Sequence, residues 1–171
     1  MRRGPNGISM FSSLNVHNRL QELDVPHELF KLSGQAGSLE RAAMALGLDL
    51  CQLAHVGVFR VDDDPVVVIV PGDRQVDIDK LKAVTGGTEV AVVPSEDIPS
   101  MTGYLASALP PVAHKSDMQT YIDYYTLRED VVYTGSGEPT AILKIRSYDL
   151  VRATGGETVD VVSSQSEGQD A

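Results

Sequence analysis

Apolar residues recur along this chain with two alternating periods. At Val16, Leu20 and Leu23 they mark one face of a short helix, and "HELFKL" at 27–32 alternates as a strand does. Ser38 precedes "LERAAMALGL", whose Leu39, Ala42, Ala43 and Leu46 share a face. With Gly47 just past the end, this predicts a helix with a serine N-cap and a C-terminal glycine. "LAHVGVFRV" (53–61) and "PVVVIV" (65–70) are β-rich runs around the acidic "DDD", which predicts two strands joined by a turn.

The alternation continues with a helix over 76–87 stopped by two glycines, a strand over 88–93 and a capped helical turn from Ser95. After the loop "TGYLASALPPVA", strands are expected near 120–125, 130–134 and 140–146, then a closing helix capped by Ser147. Strands interleaved with short helices predict a mixed α/β (α+β) domain. No internal repeat is present.

The ends carry little of this pattern. Residues 1–9 read as a disordered leader, 10–154 as one domain and 155–171 as a polar, disordered tail. The second Met, at position 10, leaves two start points open. At 171 residues and 42% hydrophobic, one core is the expectation.

Charge narrows the partners. Fourteen Lys plus Arg against 24 Asp plus Glu give a net charge of −10, so the surface as a whole repels polyanions and any RNA contact must be local. Cys51 is the one cysteine, which excludes an internal disulfide and fits the cytoplasm. "VVVIV" is far shorter than the ~20 residues of a membrane helix. No membrane partner and no DNA partner are expected. The oligomeric state is not legible.

Four segments taken together resemble one family. "SLERAAMALGLD" (38–49), "DIDKLKAVTG" (77–86), "SMTGYLASALPP" (100–111) and "YDLVRAT" (148–154) are similar, in order and spacing, to the YbaK and EbsC proteins and the editing domain of prolyl-tRNA synthetase. The resemblance covers roughly 14–154. It implies a curved mixed β-sheet flanked by short helices, whose crevice deacylates mischarged tRNA. It implies no cofactor and no metal. A bound water attacks the ester, positioned by backbone groups of a Gly-x-x-x-Pro loop and a ribose hydroxyl, while a strand Lys holds the substrate. The implied partner is the aminoacylated 3′ end of tRNA.

Carried across by position, the strand Lys falls on His55, the loop glycine on Ser107 and the loop proline on Pro111. His55 and Ser107 thus stand at the catalytic positions. Thr102, Gly103, Ala108, Pro111, Asp123, Gly135 and Gly137 are the substrate-binding candidates, and Ile142 stands where typical members have Asp. An ammonium is a permanent, long-reach cation, whereas an imidazole is shorter and largely neutral near pH 7. Ser107 adds a Cβ where the family lets backbone approach the substrate.

The residues also admit plainer readings. His55 divides evenly between a solvent or core histidine and a pocket residue. His17, His27 and His114 lack metal-ligand spacing. Ser107 has no nucleophile elbow around it, and "DDDP" and "DRQVDIDK" read as solvated loops and helix ends. Lys115, Lys144, Arg146 and Arg152 read as scattered surface cations rather than an RNA patch. Three functions stay open at this point: a deacylase with a degenerate pocket, a catalytically silent aminoacyl-tRNA or small-ligand binding module, and a protein-interaction domain on the same fold.

Overall fold

The computed structural model describes residues 2–3 and 9–164. Two-residue strands β1 (Arg2–Arg3) and β2 (Ser9–Met10) pair antiparallel at the start. Helix α1 (Ser13–Glu22) follows, with Ser12 and Asn15 closing a capping box and Val16 and Leu20 facing the core. Then come β3 (His27–Lys31), α2 (Leu39–Ala45), β4 (Ala54–Val61) and β5 (Asp64–Pro71). Ser38 caps α2 by accepting from the Arg41 N–H, and Gly47 takes a positive φ just beyond its end.

Helix α3 (Ile78–Thr85) ends at Gly86, whose left-handed backbone suits glycine. Beyond it lie β6 (Val90–Val92), α4 (Ile98–Thr102), β7 (Gln119–Asp123), β8 (Val131–Gly135), β9 (Ala141–Arg146), α5 (Ser147–Thr154) and β10 (Glu157–Val159). The main sheet runs β10-β7-β5-β4-β6. In it β10, β7 and β5 are parallel, and β4 is antiparallel to both β5 and β6. A second, antiparallel sheet β3-β9-β8 abuts the start of β4 through a Leu53–Tyr133 bridge and a 2.7 Å bond from Thr134 Oγ1 to the Ala54 carbonyl.

Strand β5 explains its own unbroken apolar run, because it is covered on both faces. Val67 and Ile69 join a core with Ala54, Val56, Val58, Tyr104, Leu109 and Leu143, while Val66, Val68 and Val70 join a second one with Phe59, Leu81 and Val161. The hairpin between β4 and β5 is a two-residue turn in which Asp62 and Asp63 both have positive φ, as the twist of paired strands favours. The Asp62 carboxylate accepts from the Glu89 and Thr88 N–H groups, and those bonds hold its pKa below the usual value.

The structure corrects the sequence expectations in four places. The chain does not leave the fold at residue 154: β10 pairs with β7, and Val159, Val161 and Val162 are buried. These three valines, set in a polar stretch, supply enough apolar surface to dock against Val66, Val68 and Leu81. Residues 165–171 lie outside the described residues, as do residue 1 and residues 4–8 of the expected leader. The strand expected over 120–125 stops at Asp123, which caps a 3-10 turn over Tyr124–Arg128 by accepting from the Tyr125 N–H at 2.8 Å. Ser95 makes no side-chain cap. Ser147 is the first residue inside α5 rather than its cap, and its N–H bonds the Asp130 carbonyl.

Candidate functional site

The segment after α4 is fixed from within. Thr102, fully buried, donates its hydroxyl to the Ile98 carbonyl at 2.8 Å and accepts from the Tyr104 N–H at 3.1 Å. Gly103 adopts φ +90°, where a Cβ would press on the Phe11 ring. Tyr104 is then buried upright, its hydroxyl donating to the Ala113 carbonyl at 2.8 Å, and burial raises its pKa. The 3-10 turn Ala106–Ala108 follows, with Ser107 half-buried and Ala108 and Pro111 buried. Ser107 is not among the residues of positive φ, so its backbone has no need of glycine.

Strand β8 ends against this loop. A Cβ on Gly135 would run into the Leu109 carbonyl, and the Gly137 N–H donates to the Ala108 carbonyl at 2.9 Å. Ser136 between them donates its hydroxyl to the Ala141 carbonyl. Ser107, Ala108, Pro111, Gly135 and Gly137 are thus brought into one neighbourhood, sealed by backbone contacts. His114 closes it from behind, its Nε2 2.7 Å from the Pro110 carbonyl, and burial lowers its pKa.

His55 stands elsewhere. Its neighbours Ala54 and Val56 point into the core that takes Tyr104, Leu109 and Val112, so strand alternation puts the imidazole on the other face of the sheet. There it lines a cavity of 470 Å³ with Gly57, Phe59, Val68, Val70, Val76, Ile78 and Val92, none of them from the 102–111 loop. Its Nδ1 is 3.6 Å from Glu40 Oε1, with both side chains nearly half exposed. Arg74 and Gln75 close the same cavity. The expectation that His55 and the loop share one pocket therefore does not match this geometry.

Asp123 is separate again. Its carboxylate, with no exposed surface, accepts from the Tyr125 N–H and the Val161 N–H at 2.8 Å each, tying β7 to the segment after β10. Among the described residues no three His, Cys, Asp or Glu side chains converge as metal ligands. No described helix is long and apolar enough to cross a membrane.

Residues 34–153 match the model of a family described as the aminoacyl-tRNA editing domain. The chain belongs to that family. EbsC of Enterococcus faecalis, whose name assigns it provisionally as a Cys-tRNA(Pro)/Cys-tRNA(Cys) deacylase, is 20% identical over 154 residues, 88% of this chain and 94% of its own. The proline–tRNA ligase of Maridesulfovibrio salexigens is 27% identical over 107 residues, 63% of this chain but 18% of the ligase. A crystal structure described as a provisional trans-editing enzyme for prolyl-tRNA synthetase superposes with a TM-score of 0.79 at 22% identity, over 88% of this chain and 96% of that one. The editing-domain fold expected from the four motifs is thus the observed one.

Sequence reading missed two members of the His55 cavity. Glu40 was indistinguishable from any exposed acid in the first turn of α2. Arg74 sat in a loop read as solvated. No local pattern marks either, because α2 and the loop after β5 reach the cavity from segments distant in sequence.

Proposed function

We propose that the chain hydrolyses the ester joining a wrongly attached amino acid to the 3′-terminal ribose of tRNA. The observation that carries the proposal is the His55 cavity. Its floor of Phe59, Val68 and Val70 is apolar and buried, and 470 Å³ has room for an aminoacyl group. At its rim, Glu40 offers a carboxylate to the α-ammonium of an aminoacyl ester, and His55 stands at the position of the family's cation.

The chemistry of the family needs no covalent nucleophile. Water attacks the ester carbonyl, the ribose oxygen leaves with a proton, and polar groups preorganised around the carbonyl lower the barrier. Editing of this kind exists because binding alone separates small amino acids by only ~1–3 kcal/mol per methylene. Here the imidazole of His55 stands in for the ammonium at the rim of the cavity, and Ser107, on the other side of the sheet, lies outside it. Cytoplasmic tRNA is the substrate this reading requires.

A second reading is favoured by the Glu40–His55 pair itself, since a carboxylate 3.6 Å from the imidazole competes with substrate for any charge on it. The protein would then hold aminoacyl-tRNA without cleaving it. Incubating the purified protein with a panel of mischarged tRNAs and following free amino acid separates the two. Release above the uncatalysed rate supports the deacylase. Protection of the ester, or no effect on any tRNA, overturns it.

A further inference from the structure

Arg74 is an unmatched cation at the seam of two cavities. Among the described residues its guanidinium makes no ion pair or hydrogen bond, and its Nε is buried without a partner. Several charges around it are already matched. Arg128 binds both oxygens of Asp73 at 2.8 and 2.9 Å, Lys80 Nζ donates to Asp160 and to the Val162 carbonyl, and Asp123 accepts its two backbone N–H groups. A buried donor left unsatisfied is costly, so such a group marks where an acceptor from outside is received.

The surroundings select the acceptor. Arg74 lines the His55 cavity and also a second one, of 790 Å³, walled in part by Lys80, Tyr124, Tyr125 and Ser163. Its guanidinium lies 4.3 Å from the centroid of the Tyr125 ring, which preorganises the fork. Tyr124 is 58% exposed beside it. A planar guanidinium fits a carboxylate or a phosphate equally well, but an open aromatic face beside it adds a stacking surface for a base.

We propose that Arg74, Tyr124 and Tyr125 form a nucleoside-phosphate site, with Arg74 holding the phosphate and Tyr124 stacking the base. The site rests on the deacylase reading only for the direction of its substrate. With the ester in the His55 cavity, the preceding nucleotides cross Arg74 onto the tyrosines. The low positive charge of the chain makes this a local anchor rather than a broad electrostatic surface.

The test is anisotropy of a fluorescein-labelled, unacylated single-stranded RNA tetranucleotide on the full chain, with thermal melts to confirm folding of each variant. Tyr124→Ala, at an exposed position, weakens binding about tenfold or more. Arg74→Gln lowers the salt slope by about one, Arg74→Lys keeps that slope, and Lys144→Gln, outside the site, changes neither. Competition by AMP separates the sources of the ligand: AMP as strong as the tetranucleotide assigns the site to free nucleotides, and a much weaker AMP assigns it to an RNA end. Either result supports the site. Absence of binding, a Tyr124→Ala protein that binds like the parent, or inorganic phosphate competing as well as AMP overturns it. Because the probe has no ester, tRNA hydrolysis can fail with binding intact, and binding can fail with hydrolysis intact.

Discussion

Gly135 ends its strand directly against the carbonyl of Leu109, with no room for a side chain between them. The obstacle is backbone on both sides, so neither partner can swing away as a flexible side chain would. We expect Gly135→Ala to cost about 1–3 kcal/mol, toward the upper end because the loop itself must shift. A denaturation midpoint equal to the parent's would show that the 105–111 loop is looser than this packing implies.

His114 ties stability to pH. Burial holds its pKa below histidine's ordinary 6.5, so the unfolded chain takes up a proton that the native state resists. The stabilisation is complete above about 6.5 and declines as pH falls from there toward the lower native value. Melting temperature should drop over that acidic window, and His114→Gln, which keeps a donor for the Pro110 carbonyl, should flatten the drop. An unchanged slope in the variant would assign the acid sensitivity to other groups.

Val161 links the last strand to the rest of the protein. Removing residues 155–171 deletes buried Val159, Val161 and Val162 and strips one of the two N–H groups from the buried Asp123 carboxylate. Each valine contributes about 1.5–3 kcal/mol by burial, so the truncated chain should melt about 10 °C or more below the parent, or fail to fold. Ending the chain after Ser164 instead keeps all three valines and should leave the melting temperature close to the parent's. Equal melting of the shorter chain would mean that β10 is not part of the cooperative unit.

What the sequence disclosed follows from where the information is local. The cap of α2, the glycine stop of α3 and the aspartates of the β4–β5 turn are written in adjacent residues, and the four motifs carried the fold. The end of the domain was obscured because "VDVV" sits among polar residues whose docking partner, β7, lies some 35 residues earlier. The site was the least legible part. Position by position, the family pattern put His55 beside the loop, but the period-two alternation of β4 turns it to the opposite face of the sheet. Glu40 on α2, Arg74 in the loop after β5 and Tyr124 in the turn after β7 gain their meaning only from tertiary packing.

His55 and Ser107 provide the sharpest functional comparison. If the parent has merely lost its anchor, His55→Lys with Ser107→Gly restores a long-reach cation beside the 470 Å³ cavity and removes a side chain from the loop turn. Ser107 sits on ordinary backbone and His55 is nearly half exposed, so the double variant should fold like the parent. A charge-assisted hydrogen bond contributes ~1.5–3 kcal/mol, or about ten- to a hundredfold in rate where it forms fully only in the transition state. The variant should then release alanine or cysteine from mischarged tRNA faster than the parent by up to that factor. If the parent instead uses the imidazole itself, the same substitutions abolish release, and His55→Lys alone is sufficient to do so. Measuring kcat and KM for both proteins on one tRNA decides between these. A gain confined to kcat fits the restored anchor, a loss in kcat fits imidazole chemistry, and no release from either folded protein would sink the deacylase reading and leave the ester-binding module.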